Sequence, residues 1–454
     1  MNAESPSVDA IRDCLEGSVP SPVATCSAEG TPNVTYTSQV EYVDAQHVAL
    51  SFQFFNKTRE NVLANPRATV EVTHPRSAAS YRLSLLYLRT ENEGWVFERM
   101  KAKLAGIASH TGMAGVFRLR GADIYRVLVI EPVPGASLPL AGPQRNLLSA
   151  LRSATGRIGD CRDLEALFAA SLTALVADFD LRHAMLLVHD DAAGTLYTVA
   201  SCGYPQSGIG SEIALGDGVI GVCAEVRTPI RIAYLSEDYS YHCAMRDTAR
   251  AAGLGGVHRE IPFPGLPQPH SQLAVPVVVG QRLFGVIYVE SPEQGRFGYD
   301  DEDALSAFAA QFAAQMRLLE TVDEPGPDDE AGTDRSAAGG PPLTVRHYAE
   351  DHSVFLGDDY LIKGVAGAIL WKLLGDHRRS GRLEFSNREL RLDPGLGLPD
   401  IVDNLEARLI LLARRLDERS SDLAIEKTGR GRFKLRLRRP VTLLEVPKPG
   451  GRAA

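Results

Sequence analysis

The sequence predicts a multidomain α+β protein, and three observations carry that prediction. The chain has 454 residues, too many for one hydrophobic core, and at ~150 residues per domain this length corresponds to about three. A stretch from Val322 to Pro342, VDEPGPDDEAGTDRSAAGGPP, holds four prolines, four glycines and six acids with almost no large apolar residue. It cannot bury enough surface to offset its ordering entropy, and it reads as a flexible linker with an end-to-end distance of ~25 Å. On both sides of it, short strand-like runs alternate with apolar-periodic helices, but beyond it the charge changes sign.

Hydrophobic content of 44% and charged content of 23% are those of an ordinary globular chain. No run of ~18 apolar residues is present, so no membrane span is expected. The polar start from Met1 to Asp13 lacks the basic and apolar segments of a signal peptide, which predicts a cytoplasmic protein. The six cysteines are scattered without a CxxC pair. That pattern excludes a zinc knuckle and a disulfide framework and fits free thiols in a reducing compartment. A softer boundary lies at Glu131–Gln144, rich in proline and glycine.

In the first segment, Val23–Cys26 and Asn33–Ser38 form strands around a Ser27–Gly30 turn, and Tyr42–Val43 with His47–Phe52 continue the meander. Asn56 to Asn61 leads into a short helix that stops at Asn65-Pro66. Ala68–Thr73, Tyr81–Thr90, Val116–Leu119 and Ile124–Ile130 complete the strands, and Glu98–Ala108 is an amphipathic helix. This order predicts a small closed antiparallel barrel. Lys57 and Thr58 stand at the helix start, where exposed backbone N–H groups, a hydroxyl and an ammonium suit a phosphate.

The run SFQFFNKTRENVLANPRATVEV resembles the FMN-binding split barrel of the pyridoxamine-phosphate-oxidase-like family, over residues 8–133. The resemblance implies FMN at a homodimer interface, with its phosphate near Lys57, Thr58 and Asn61. Thr35, Ser38 and Ser51 would be supporting polar groups, and Phe52 either lines the ring pocket or belongs to the core. True oxidases carry substrate-binding residues where this chain runs on into another domain.

In the second segment, Leu164–Ala177 is a helix and His183–His189 pairs with Leu196–Ser201. Ile213–Ala224 is a strand end, glycine turn and helix start, Gln272–Val279 and Leu283–Glu290 form a hairpin, and Tyr299–Leu318 is a long helix. The phrases LGDGVIGVCAE, SQLAVPVVVGQRLFGVIYVES and FGYDDEDALSAFAAQFA resemble a GAF domain, an α/β sandwich, over residues 146–320. That resemblance implies a small-molecule sensor and leaves the ligand unknown. Ile232–His270 is the expected lid, and it carries His242, Cys243, His258 and His270. Their spacing matches no metal-ligand template, and a redox role for Cys243 beside His242 stays open.

Beyond the linker, short strands (Leu343–His347, Val354–Leu356, Tyr360–Ile362) precede a helix from Val365 to Leu374. Ser386 is a candidate N-cap for a second helix. Asp400–Arg419 is a third, with Leu405, Leu409, Leu412 and Leu416 on one face. Ile425–Lys427 and Phe433–Leu437 are strands. From Arg408 to Arg439 eleven basic residues face four acidic ones, a local excess of +7 in a chain of net charge −9. Such a patch calls for a polyanionic partner or a solvated face.

The phrases LARRLDER and IEKTGRGRFKLRL resemble the winged-helix effector domain of OmpR-type response regulators, over residues 343–440. The resemblance implies DNA binding, with Arg408, Arg414 and Arg415 on or near the recognition helix. Thr428, Arg430, Arg432 and Lys434 would approach phosphates from the wing. Ile410, Leu411 and Ala413 stand where relatives carry polar groups, so an apolar protein interface is an alternative.

These readings combine into a one-component regulator that senses a small ligand or redox state and binds DNA, expected as a homodimer. An FMN-dependent oxidoreductase with regulatory attachments and an interaction scaffold are the alternatives.

Overall fold

The computed structural model describes residues 6–15, 19–37, 39–52, 57–110, 119–139, 145–234, 261–321, 341–396, 405–429 and 431–446. The first sheet has seven antiparallel strands: β1 (Ser21–Cys26), β2 (Pro32–Thr37), β3 (Val40–Asp44), β4 (His47–Phe52), β5 (Arg67–Thr73), β6 (Ser80–Glu91) and β7 (Gly121–Pro132), in the order β2-β1-β5-β6-β7-β4-β3. Strict alternation puts Val23, Val70, Val72, Leu83 and Leu85 inside. The barrel is split rather than closed. The edge strands β2 and β3 are joined through the chain at Thr37–Val40, and no ladder pairs them among the described residues. A short 3-10 helix, Asp9–Leu15, plugs the core with Ile11 and Leu15; it had no periodicity to announce it. The expected strand at Val116–Leu119 lies outside the described residues except for Leu119.

Two helices complete this domain. Helix α1 (Lys57–Ala64) follows β4 and stops at Asn65-Pro66, as the proline requires. Helix α2 (Trp95–His110) follows β6.

The second sheet comprises β8 (His183–Asp190), β9 (Thr195–Cys202), β10 (Glu212–Ala214), β11 (Ile230–Ile232), β12 (Ser271–Val279) and β13 (Arg282–Ser291), in the order β10-β9-β8-β13-β12-β11. Helices α3 (Leu147–Gly159), α4 (Leu164–Ala177) and α6 (Tyr299–Thr321) cover one face, where Phe168, Phe179, Phe308 and Phe312 pack. Helix α5 (Gly218–Val226) lies on the other, and α2 of the split barrel lies beside it: Ala102 is buried in one cluster with Val222, Val286 and Met185. Coverage of both faces explains why these strands read as continuous apolar runs.

Past the linker, β14 (Leu343–Tyr348), β15 (Ser353–Leu356) and β16 (Asp359–Ile362) precede α7 (Gly364–Ser380), β17 (Glu384–Ser386), α8 (Asn387–Arg391) and α9 (Leu405–Arg419). Strands β18 (Leu423–Gly429), β19 (Arg432–Leu437) and β20 (Val441–Val446) follow. The first sheet here runs β16-β15-β14-β20, with β14 and β20 parallel; the second runs β17-β19-β18. The sequence shows neither β17 nor β20, and with them this region has seven strands and three α-helices among the described residues. Ser386 does cap α8: it accepts the Glu389 N–H at 3.3 Å while the Glu389 carboxylate accepts the Ser386 N–H at 3.1 Å. No helix among the described residues is long and apolar enough to cross a membrane.

A buried charge network joins the split barrel to the second domain. Arg99 of α2 contacts Glu41 of β3 and Glu302 of α6, each at 2.9 Å, and Arg231 of β11 donates to Glu302 at 2.9 Å. Glu41, Arg231 and Glu302 are all under 6% exposed. Arg12 and Arg231 stack on Tyr299 at 4.1 and 4.2 Å, and the Tyr299 hydroxyl donates to the Leu15 carbonyl. Burial alone would raise the Glu302 carboxyl, but Arg231 and Arg99 outweigh it and hold it below its usual value.

Removing one partner of such a network costs far more than the pair contributes. Glu302→Ala is expected to destabilise the protein by about 3–5 kcal/mol, measured by urea unfolding followed by circular dichroism. Because the folded carboxyl is depressed, its stabilisation is full above the ordinary value of 4.5 and is lost as pH falls through the lower folded value. Acidification from pH 5 to pH 3 should therefore lower the melting temperature less in Glu302→Gln than in the parent.

Candidate functional site

The split barrel carries a polar stripe along one face of β2. Asn33, Thr35 and Thr37 alternate on that face. At one end, Asn33 Nδ2 donates to Thr58 Oγ1 at 2.9 Å, and Asn61 Nδ2 donates to Thr25 Oγ1 at 3.1 Å. At the other, the Thr37 and Ser51 hydroxyls lie 3.1 Å apart. Two β residues advance the chain ~6.6 Å, so Thr58 and Ser51 bracket a stripe on the order of 13 Å long with Thr35 midway. Lys57 is exposed beside it, 3.9 Å from Glu60. Thus Thr35, Ser51, Lys57, Thr58 and Asn61 gather on α1, β2 and β4. Asn61, almost fully buried, fastens α1 to β1 rather than facing outward. Ser38 lies outside the described residues.

Sequence reasoning missed Arg59. Its guanidinium pairs with Asp123, donates to Thr90 Oγ1 at 2.7 Å and stacks on Phe52 at 4.7 Å. Thr90 in turn donates to Asp123 at 2.6 Å and meets the Tyr87 hydroxyl at 2.7 Å. Phe52 is half-buried under this cluster. The stripe offers an ammonium, hydroxyls and the start of a helix at one end, the donor set an organic phosphate needs.

The second domain has a polar cluster that the sequence did not reveal, at the end of its central strands. Glu290 of β13 is 3% exposed. It accepts the Leu266 N–H at 2.7 Å and the Tyr288 hydroxyl at 3.0 Å. Burial raises this carboxyl, and the hydrogen bonds offset only part of the rise. Burial and the facing Glu290 also push the Tyr204 phenol up. Tyr204 packs on His183, and Phe263 packs on Tyr288. Period-two alternation sets Gln272, Tyr288, Glu290 and His183 on one side of the sheet. An acid here makes a polar floor with one end of the lid, 261–266, fastened over it. His242, Cys243 and His258 lie outside the described residues, and His270 donates its backbone N–H to Ser291 at 2.8 Å. Among the described residues no group of three His, Cys, Asp or Glu is placed to hold a metal.

The basic residues of the C-terminal region divide into two sets. Arg408, Arg414 and Arg415 of α9 do not face solvent. Arg408 pairs with Asp190 of β8 at 2.9 Å and Arg414 donates to the Val199 carbonyl of β9 at 2.7 Å. Arg415 donates to the Leu361 carbonyl at 3.1 Å and pairs with Glu418. The reason is the two-sided apolar character of α9: Leu405, Leu409, Ile410, Leu411, Leu412 and Leu416 are all buried, so the helix is covered and its arginines are covered with it. In this arrangement those three residues cannot reach a duplex. Thr428 and Arg432 are exposed and Lys434 is half-buried on the β18–β19 hairpin, while Arg430 lies outside the described residues.

Comparison with known proteins supports two of the three domains. The GAF domain family matches residues 163–316, and the pyridoxamine 5'-phosphate oxidase family matches residues 7–91. The chain therefore contains a split-barrel domain of the pyridoxamine-phosphate-oxidase type and a GAF domain. No curated protein matches the chain. Among solved structures, the GAF domain of a phosphoenolpyruvate-protein phosphotransferase from Coxiella burnetii is 20% identical, covering 39% of this chain and 95% of its own, at a TM-score of 0.31. An FMN-binding protein from Syntrophomonas wolfei is 17% identical, covering 28% and 86%, at 0.25. HupZ of Group A Streptococcus is 22% identical, covering 29% and 98%, at 0.23.

Asn61→Ala should cost about 1–3 kcal/mol, because it strips the buried Thr25 hydroxyl of a donor. Thermal denaturation read by circular dichroism measures the loss.

Proposed function

We propose that the protein is a cytoplasmic ligand-responsive regulator in which the split barrel and the GAF domain hold the signal and residues 343–440 form a DNA-binding winged helix. One observation carries the reading. The GAF domain is joined to both neighbours by buried charge pairs, Arg99–Glu302 on the barrel side and Arg408–Asp190 on the C-terminal side. A central module clamped to both ends can pass a change at one to the other, which a set of independently tumbling domains cannot.

FMN is the barrel's proposed ligand. Lys57 and Thr58 would hold its phosphate, with Thr35 and Ser51 further along the stripe and the ring toward the Phe52 end. Bound flavin would supply a redox signal; the protein's own groups bind and orient it. A homodimer belongs to the same proposal and is supported by Val34 and Tyr36, which face outward from edge strand β2 at 67% and 72% exposure. The DNA reading is supported by the order of sheet, three helices and basic hairpin, where Arg432, Arg436 and Arg438 are exposed.

Two experiments test the proposal. Lys57→Ala with Thr58→Ala should weaken FMN about 10- to 100-fold, the worth of a charge-assisted contact, read by quenching of flavin fluorescence; unchanged affinity removes the barrel site. The protein should retain random-sequence duplex DNA with a log affinity that falls linearly with log salt. Arg432→Ala with Lys434→Ala should flatten that slope by about 2. A slope that does not change would reject the hairpin as the phosphate-contacting element.

A further inference from the structure

The face of the GAF domain that meets α9 is acidic, and each acid is matched by a base of the C-terminal domain. Asp190 pairs with Arg408 at 2.9 Å, Asp163 with Lys427 at 3.0 Å, and Glu212 with Lys363 at 3.0 Å. Burial lowers the Lys427 ammonium, but Asp163 and Glu406 more than offset it and hold it above its usual value. Between these pairs, Arg414 reaches the Val199 carbonyl and Glu418 accepts the Ser207 hydroxyl.

The GAF element under α9 is the β9–β10 loop, and residues 261–264 also pack against it. A Cβ on Gly208 would overlap the Pro264 ring. A Cβ on Gly210 would lie 2.7 Å from Ile261 Cδ1, 3.6 Å from Leu411 Cδ1 and 3.8 Å from Arg415 Cδ. Both glycines have positive φ, +59° and +85°. At Gly210 the loop is thus the point where Ile261 and α9 converge, and Leu266 ties the segment 261–266 to Glu290.

We propose that this acidic face, Asp163, Asp190 and Glu212, is a docking surface for the chain's own C-terminal domain that competes with a polyanion for Arg408, Lys427 and Lys363. The carboxylates stand where phosphates would, so the two partners exclude one another. The competition with DNA rests on the winged-helix reading; the dock itself does not.

The test uses the full chain carrying Asp163→Asn, Asp190→Asn and Glu212→Gln. Asparagine keeps the Asp163 cap of α4 and the Asp190 turn, so folding should hold, checked by circular dichroism. Hydrogen exchange of amides 405–419 is expected to speed up at least about tenfold, and apparent affinity for a random 30-base-pair duplex to rise at least about tenfold, as expected when the binding-competent fraction grows by that factor. The charge exchange Asp190→Arg with Arg408→Asp should restore slow exchange where Asp190→Arg alone does not. Unchanged protection of 405–419 in the triple variant overturns the dock. Faster exchange without any gain in duplex binding supports the dock and rejects DNA as the competing partner.

Discussion

The Glu302 carboxylate, held between Arg99 and Arg231, is the constraint on which the arrangement of the first two domains depends. An isolated ionised carboxylate buried this deeply would be expelled or protonated. Two guanidiniums keep it charged, but the same desolvation makes the net stabilisation small. What the network supplies is orientation. Helix α2 has to meet β11 and α6 in one register, since any other leaves charges buried without partners. The apolar contact around Ala102 then provides the area, and the charges choose where it falls.

The two ends of the GAF domain differ in how much of their charge is buried. Toward the barrel, the charges are buried beside a tyrosine. Toward the C-terminal domain, Arg408–Asp190 is buried with the apolar residues of α9, while Lys427–Asp163 and Lys363–Glu212 are partly exposed at its edge. Charges at the rim of a contact are screened by salt and exchange partners readily, whereas buried ones do so at a cost of several kcal/mol. The two outer pairs of the C-terminal side are therefore the salt-sensitive ones, whereas Arg408–Asp190 shares the buried character of the barrel joint.

Much of this was legible in the sequence. Leu164–Ala177 is a helix with the bounds its periodicity gives, and the Ser386 N-cap follows from local spacing alone. Leu405, Leu409, Leu412 and Leu416 are core as read. The partners of Arg99, Arg231 and Arg408 were not legible, because they lie tens to hundreds of residues away and ion pairing leaves no periodic trace. Arg408, Arg414 and Arg415 looked like a nucleic-acid face because basic residues on a helix carry no mark of what covers them. Ile410 and Leu411 did carry that mark: apolar residues beside the arginines signalled a protein contact, and both are buried. Glu290 was hidden inside an apolar run, where one acid reads as a strand end. Strand β20 was missed because its partner β14 lies at the opposite end of the domain.

That parallel pairing of β14 with β20 bears on the order in which the molecule assembles. Leu343 cannot find Val441 until nearly a hundred further residues have been made, and closing so large a loop is slow. Helix α9 leaves the ribosome earlier, when the GAF domain is already complete. The seat of α9 on β8 and β9 is thus made wholly of residues that precede it in the chain, whereas the sheet β16-β15-β14-β20 closes only with a strand that follows it.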